Sequence, residues 1–178
     1  MLSPNPTDAT EVLAALQRQA SIIPHVPWPK QREFLKLRCS EAMYGGAAGG
    51  GKSDALLMAA LMYWDRPNYG ALLMRRTFPE LSRRGGLMYR AREWLADTGA
   101  RWKESEHAWY IPPHNAILAF GHMETSASRT GYQSSEWDFL GVDELTDWYE
   151  SDYLFMGHRI RRNVGSDIPS RLRSSTTP

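Results

Sequence analysis

The chain has 178 residues, enough to bury the core of one domain and too few for two comfortable ones. Its 42% hydrophobic and 23% charged residues are ordinary for a globular protein, and 21 basic against 20 acidic residues leave a formal net charge of +1. That balance excludes a nucleic-acid binder relying on bulk positive charge, the single Cys39 excludes an intrachain disulfide, and no apolar run is long enough to span a bilayer. The opening MLSPNPTDAT lacks a basic stretch followed by an apolar core, so no secretory signal is expected and a reducing cytoplasm is.

In chain order, Thr7 or Asp8 caps a predicted helix over residues 9–20, with Val12, Leu13 and Leu16 on one face. Pro24, Pro27 and Pro29 impose an irregular approach, so residues 1–26 read as an N-terminal helix and approach segment and residues 27–178 as the domain. Residues 31–36 read as a short helix and 41–44 as a first strand, before the glycine-rich run 45–51. Lys52 opens a helix through Leu56, Leu57, Ala60, Leu61 and Trp64, and Pro67 ends that region. YGALLM, residues 69–74, is an apolar run suited to a buried parallel strand, and residues 79–96 read as helical with a break at Gly85-Gly86. Residues 108–111 and 116–120 are strand-like, joined by the turn Pro112-Pro113-His114-Asn115. WDFLGV, residues 137–142, predicts another buried strand, residues 148–161 a helix and residues 171–175 a last strand. Strands alternating with helices imply a three-layer α/β domain around a mostly parallel sheet. The chain stops at SRLRSSTTP, where that strand finishes, and this reads as a fragment of a longer protein.

Gly46-Ala47-Ala48-Gly49-Gly50-Gly51-Lys52-Ser53 fits G-x-x-x-x-G-K-[ST] at each fixed position, between a predicted strand and a predicted helix. Glycines let such a loop reach backbone conformations closed to other residues, so its N–H groups and the helix N-terminus ring a phosphate. Lys52 is expected to neutralise the β- and γ-phosphates of ATP, and Ser53 to ligate Mg²⁺. A glycine-rich turn matches such a pattern by chance now and then, but not with strand and helix both in place. Downstream, FLGVDE ends an apolar strand in two adjacent carboxylates. Asp143 is expected to hold the Mg²⁺ shell and Glu144 to polarise the attacking water, an arrangement that points to ATP hydrolysis. Adjacent acids at a strand end are common solvated surface, so this pair carries weight only with the loop upstream.

YGGAAGGGKS, LLMRRTFPEL, GYQSSEWDFLGVDELTDW and STTP, in this order, resemble the large terminase subunit of tailed bacteriophages from about Pro27 to the last residue. The resemblance implies a RecA-like (ASCE) P-loop ATPase domain. It also implies an ATP-driven motor that threads double-stranded DNA into a procapsid, working in the host cytoplasm and transiently at the portal vertex. The partners implied are double-stranded DNA, the portal protein, the small terminase subunit and further copies of the chain in a ring. The family's C-terminal metal-dependent nuclease domain is expected to be missing here, since the sequence stops at Pro178.

By the same resemblance, Gln31 in WPKQREF falls at the adenine-reading glutamine, and Ser175, Thr176 and Thr177 at the motif coupling γ-phosphate state to movement. Thr177 stands where the family often has Asn or Gly. Arg129, shortly before the acidic strand, falls where some terminases place an arginine finger. Many relatives carry a basic residue inside the loop, where this chain has Ala47 and Ala48, so the finger stays open; Arg75 and Arg76 also end a strand at the nucleotide edge. Arg83-Arg84 and Arg159-Ile160-Arg161-Arg162 are small basic clusters, either DNA contacts or solvated helix faces. Most of the seven tryptophans read as core, and the histidines show no metal-ligand spacing. Two other functions compete. One is a RecA-like domain of another nucleic-acid translocase or helicase, against which the continuation Asp143-Glu144-Leu145-Thr146 speaks. The other is a non-hydrolysing module that docks to the portal or the small subunit, against which intact Lys52, Ser53, Asp143 and Glu144 speak.

Overall fold

The computed structural model describes residues 22–161 and 167–177. The helix expected over residues 9–20, together with Arg162 and Pro178, lies outside the described residues.

Seven strands form one sheet: β1 (Glu41–Gly45), β2 (Gly70–Arg75), β3 (Arg101–Lys103), β4 (Ala108–Ile111), β5 (Ala116–His122), β6 (Phe139–Val142) and β7 (Arg171–Thr176). Their order is β1-β7-β6-β2-β5-β4-β3. The run from β1 to β5 is parallel. The β5-β4-β3 end is antiparallel, because Pro112 to Asn115 reverses the chain tightly between β4 and β5 and residues 104–107 do so between β3 and β4. The helices are α1 (Pro29–Leu35), α2 (Lys52–Ala60), α3 (Phe78–Ser82), α4 (Leu87–Leu95) and α5 (Glu150–Gly157). The fold is an α/β RecA-like one with a mostly parallel central sheet, as expected.

Period-two alternation along the strands divides the core into two layers. Ala71, Leu73, Leu118, Phe120 and Phe139 face α1, α2 and α4, while Leu72, Met74, Ala119, Leu140, Val142 and Leu172 face the other side, where α5 contributes Met156. The alternation matters for the site, because it fixes which face each residue at the strand ends takes. α2 is buried nearly all round, from Ala55 to Ala60, so its composition of Ala, Leu and Met makes it a helix while its hydrophobic pattern has no single stripe. It ends at Ala60, four residues short of the expected Trp64, and residues 61–65 continue as turns. The expected break at Gly85-Gly86 separates α3 from α4. β3 has no counterpart in the sequence reading, and α5 is shorter at both ends than the expected 148–161: a 3₁₀ turn, residues 145–147, precedes it, and residues 158–159 turn the chain into a bridge between Ile160 and Trp137.

Two arginines of β7 reach beneath α1 and α2. Arg173, 2% exposed, donates to the carbonyls of Leu37, Cys39, Ser40 and Leu172 at 2.9–3.3 Å and lies 6.0 Å from the Phe34 ring centroid. Burial pushes its pKa down to about 10, the neighbouring Arg171 adding to that. These bonds tie the α1–β1 loop to β7, the strand that ends at the site.

Candidate active site

The parallel strands all end at one rim, and in open α/β sheets that rim is where ligands sit. β1 leads straight into the glycine-rich loop, and Gly51 caps α2 with φ +69, a left-handed conformation that costs any residue with a Cβ about 1–2 kcal/mol. A Cβ there would also stand 2.6 Å from Gln31 Nε2. Residues 47–50 are exposed, so the loop offers its backbone to solvent. Lys52, 6% exposed, folds its ammonium back inside the loop, donating to Gly46 O and Ala47 O at 2.8 Å each. An ammonium has three donors, so one remains for an incoming phosphate.

Sheet order then brings distant residues together. β7 runs between β1 and β6, with Val142 opposite Ser174, so Asp143 and Ser175 are next neighbours at the rim. Ser175 Oγ donates to Asp143 Oδ1 in a short bond. On the other flank β2 pairs with β6, Met74 opposite Val142, which sets Arg75 beside Asp143. Arg75 Nη1 donates to Asp143 Oδ2 at 3.1 Å. By the alternation, Arg75, Asp143 and Ser175 point to the face that α2 covers, toward Ser53. Ser53 Oγ lies 3.4 Å from Asp143 Oδ1 and 3.5 Å from Oδ2, ninety residues away in sequence. Both are hard oxygen donors of the kind Mg²⁺ takes, and their separation is near the roughly 3 Å between adjacent oxygens of an octahedral Mg²⁺ shell. The donor set fits Mg²⁺. Among the described residues no group of three or more His, Cys, Asp and Glu side chains clusters as a metal site.

Glu144 has φ +50, which turns it out of the strand. Its carboxylate accepts the Thr177 backbone N–H at 2.8 Å and the Thr177 hydroxyl at 2.7 Å. Partial burial pushes the Glu144 carboxyl up, but those two bonds, with Arg75 and Lys52 nearby, outweigh it and hold it below the ordinary glutamate range. Thr177, in the expected coupling motif, and Glu144, the expected general base, are thus in direct contact.

Gln31 is 1% exposed and sits under the loop rather than on a surface. Its Oε1 accepts the Trp28 N–H at 2.9 Å and its Nε2 donates to Gly51 O at 2.8 Å. One N–H and one lone pair remain for an adenine edge, so the amide clamps the loop and keeps capacity for a base.

Arg129 lies away from the loop. Its Nε donates to Asp152 Oδ1 and its Nη2 to Ser151 Oγ, both at 2.7 Å, and its guanidinium stands 5.6 Å from the Phe155 ring centroid. Arg76, one residue past Arg75 and so on the opposite face, pairs with the same Asp152 at 3.0 Å. Sequence reasoning did not find Asp152: a lone Asp in a short helix carries no local signal. Arg83 and Arg84 are exposed, whereas Arg161 pairs with Glu136 at 2.9 Å. Two concavities of about 500 and 520 Å³ lie beside the β3–β4 hairpin and over β4–β5, and none of Lys52, Ser53, Asp143 and Glu144 lines either.

Fold and site together define the class: a RecA-like α/β domain whose P-loop faces an acidic strand end across one intervening strand. More particularly, the chain has the fold of large terminase ATPase domains. It is similar to the large terminase of a thermophilic bacteriophage at TM-score 0.64 and 14% identity, over 96% of this chain and 39% of that one. It is similar to the HK97 bacteriophage large terminase at TM-score 0.67 and 12% identity, over 90% of this chain and 37% of that one. The ATPase domain of the Thermus phage P74-26 large terminase matches at TM-score 0.59 and 15% identity, over 89% of this chain and 68% of that one. The first of these three terminases is also known in complex with ATP-gamma-S and with ADP. This chain therefore spans about two fifths of the length of the first two proteins. No protein-family model and no curated protein matches it in sequence.

Proposed function

We propose that this chain is the ATP-hydrolysing motor domain of a viral DNA-packaging terminase. The observation that carries the reading is that Ser53, next to Lys52 in the loop, meets Asp143, while Ser175 at the end of β7 and Thr177 just past it bond to Asp143 and Glu144. The likeness to terminase ATPase domains, one of them known with ATP-gamma-S and ADP, supports the nucleotide and the family.

In this reading the loop N–H groups and Lys52 bind the β- and γ-phosphates, and Gln31 reads the adenine. Ser53 and Asp143 would hold Mg²⁺, which would supply positive charge to the phosphate oxygens. Glu144 orients a water and accepts its proton. The water oxygen bonds to the γ-phosphorus as the bond to the bridging oxygen breaks, and that electron pair leaves on ADP. Departure of the γ-phosphate is relayed through Thr177 to β7. Arg129, the candidate finger, acts on a neighbouring copy in a ring and must leave Asp152 to do so. Exposed Arg83 and Arg84 form no ion pair among the described residues and supply contacts to the phosphates of double-stranded DNA. The portal protein and the small terminase subunit complete the assembly, in the host cytoplasm at the procapsid portal vertex.

The test is Mg²⁺-dependent ATP hydrolysis by the purified chain, with and without duplex DNA. Lys52→Ala is expected to abolish nucleotide binding. Glu144→Gln is expected to keep binding and lose turnover by a hundredfold or more, as an order of magnitude for a positioned base. Stimulation by duplex DNA favours the packaging motor. A wild-type chain that binds no ATP overturns the proposal.

A further inference from the structure

We propose that Arg75 is a catalytic residue of this site, acting from within the same chain: Mg²⁺ displaces its guanidinium from Asp143, and the guanidinium then meets the γ-phosphate. The inference rests on the ATP reading above and adds a positive charge from the same chain to the one that reading takes from a neighbouring copy.

Three observations carry it. The first is position. Arg75 ends β2 one rung beyond the Met74–Val142 pair, so it lies level with Asp143 and on the face that α2 and the P-loop occupy. Arg76, its neighbour, takes the other face, toward Asp152. Backbone alternation alone therefore sends one arginine of the pair to the nucleotide and the other away from it.

The second is competition. Asp143 is 1% exposed, and its Oδ2 accepts from Arg75 at 3.1 Å while Ser53 stands 3.4 Å away on Oδ1. A carboxylate so buried needs one positive partner, and a guanidinium and a divalent ion on the same oxygens exclude each other by charge. Mg²⁺ arriving with ATP takes over Asp143 and releases Arg75.

The third is spare donor capacity. The Arg75 side chain is 15% exposed, and its Nε has no hydrogen-bond partner among the described residues although Glu80 Oε2 stands 3.7 Å off. A guanidinium carries five N–H donors. Glu80 itself is anchored, accepting the Thr77 hydroxyl at 2.8 Å at the start of α3. On leaving Asp143 the side chain stays tethered beside the site by Glu80, with its fork free for phosphate oxygens. Arg129, bonded to Asp152 and Ser151 and set against Phe155, lies away from this chain's own loop and does not compete for the same place. The loop offers no alternative, since it carries Ala47 and Ala48.

The experiment compares wild type with Arg75→Ala, Arg75→Lys and Arg76→Ala, each checked for folding by circular dichroism. Two quantities are read: Mn²⁺ affinity of the nucleotide-free chain, by electron paramagnetic resonance, and the ratio of ATP to ADP affinity in Mg²⁺. Arg75→Ala is expected to tighten Mn²⁺ binding by about fivefold or more, the lower range of coupling between two linked ligands. It is also expected to remove a similar factor from the preference for ATP while ADP affinity holds. Arg75→Lys, which keeps the charge without the fork, falls between, and Arg76→Ala leaves both readings unchanged. Turnover by Arg75→Ala falls by about 10²–10³, the range for one lost charge-stabilising donor. Equal loss of ATP and ADP, or unchanged Mn²⁺ affinity, overturns the inference while wild-type ATP binding leaves the proposed function standing. A wild type that binds neither nucleotide overturns both.

Discussion

Asp152 takes two guanidiniums, Arg76 and Arg129, while itself fully buried. Burial pushes its carboxyl up, but the two arginines outweigh this and hold it below the ordinary aspartate value. A carboxyl depressed on folding adds stability that is complete above its unfolded pKa, near 3.9, and is lost as pH falls through the lower folded value. Chemical denaturation between pH 6 and the acid limit is expected to show wild type losing stability below about pH 4. Asp152→Asn should flatten that acid dependence. At neutral pH the same change leaves two arginines without their counter-charge and should cost about 3–5 kcal/mol, the range for one broken buried pair. A variant with the wild-type acid profile would show that these pairs contribute nothing. Arg129 was legible in the sequence as a candidate finger, but its cis partner was not, because Asp152 is brought to it by the packing of α5 and not by any spacing. Gln31 is similar. Its motif was legible, whereas its place beneath Gly51 follows from how α1 docks against the loop.

At the scale of elements, β6 shows how tightly the site is built onto the core. Gly141 points to the same face as Asp143, and α2 packs directly on it. A Cβ there would run into Leu73 and stand 3.1 Å from the Phe139 ring and 3.2 Å from Leu56 Cγ. Neither helix nor sheet can yield without moving the P-loop or the acidic rim, since both begin within a few residues of this contact. Gly141→Ala is therefore expected to destabilise the fold by about 1–3 kcal/mol, the cost of one overpacked core position. Read as a urea midpoint, an unchanged value would mean that α2 is less firmly seated than its burial indicates. The same element scale separates what was legible from what was not. Apolar strands with turn residues at both ends, such as β2, β4, β5 and β6, announce themselves. β3 does not, because Arg101-Trp102-Lys103 is short and mostly charged, and becomes a strand by pairing with β4, Trp102 opposite Trp109. α2 could not be bounded from its pattern, since a helix buried on all sides has no stripe to stop.

For the whole molecule, the rim is where every parallel strand contributes, so a ligand there bears on the entire sheet. ATP with Mg²⁺ at a hundred times its Kd is expected to stabilise the chain by about 2.7 kcal/mol, visible as a raised Tm. Lys52→Ala should abolish the shift, and a shift that survives in that variant would place the nucleotide elsewhere. No helix among the described residues is long and apolar enough to cross a membrane. The sequence by itself determined the P-loop, the acid pair after its strand, the order of most strands and helices and the terminase resemblance, because each is a local pattern of residue types within about ten positions. Only the tertiary structure decided that β7 runs between β1 and β6, and hence that Ser175 meets Asp143 and Thr177 holds Glu144. It alone turned Arg75 toward Asp143 on the face of the P-loop, and Arg76 and Arg129 toward Asp152. Which strands become neighbours depends on the packing of both sheet faces at once, and no run of neighbouring residues encodes that.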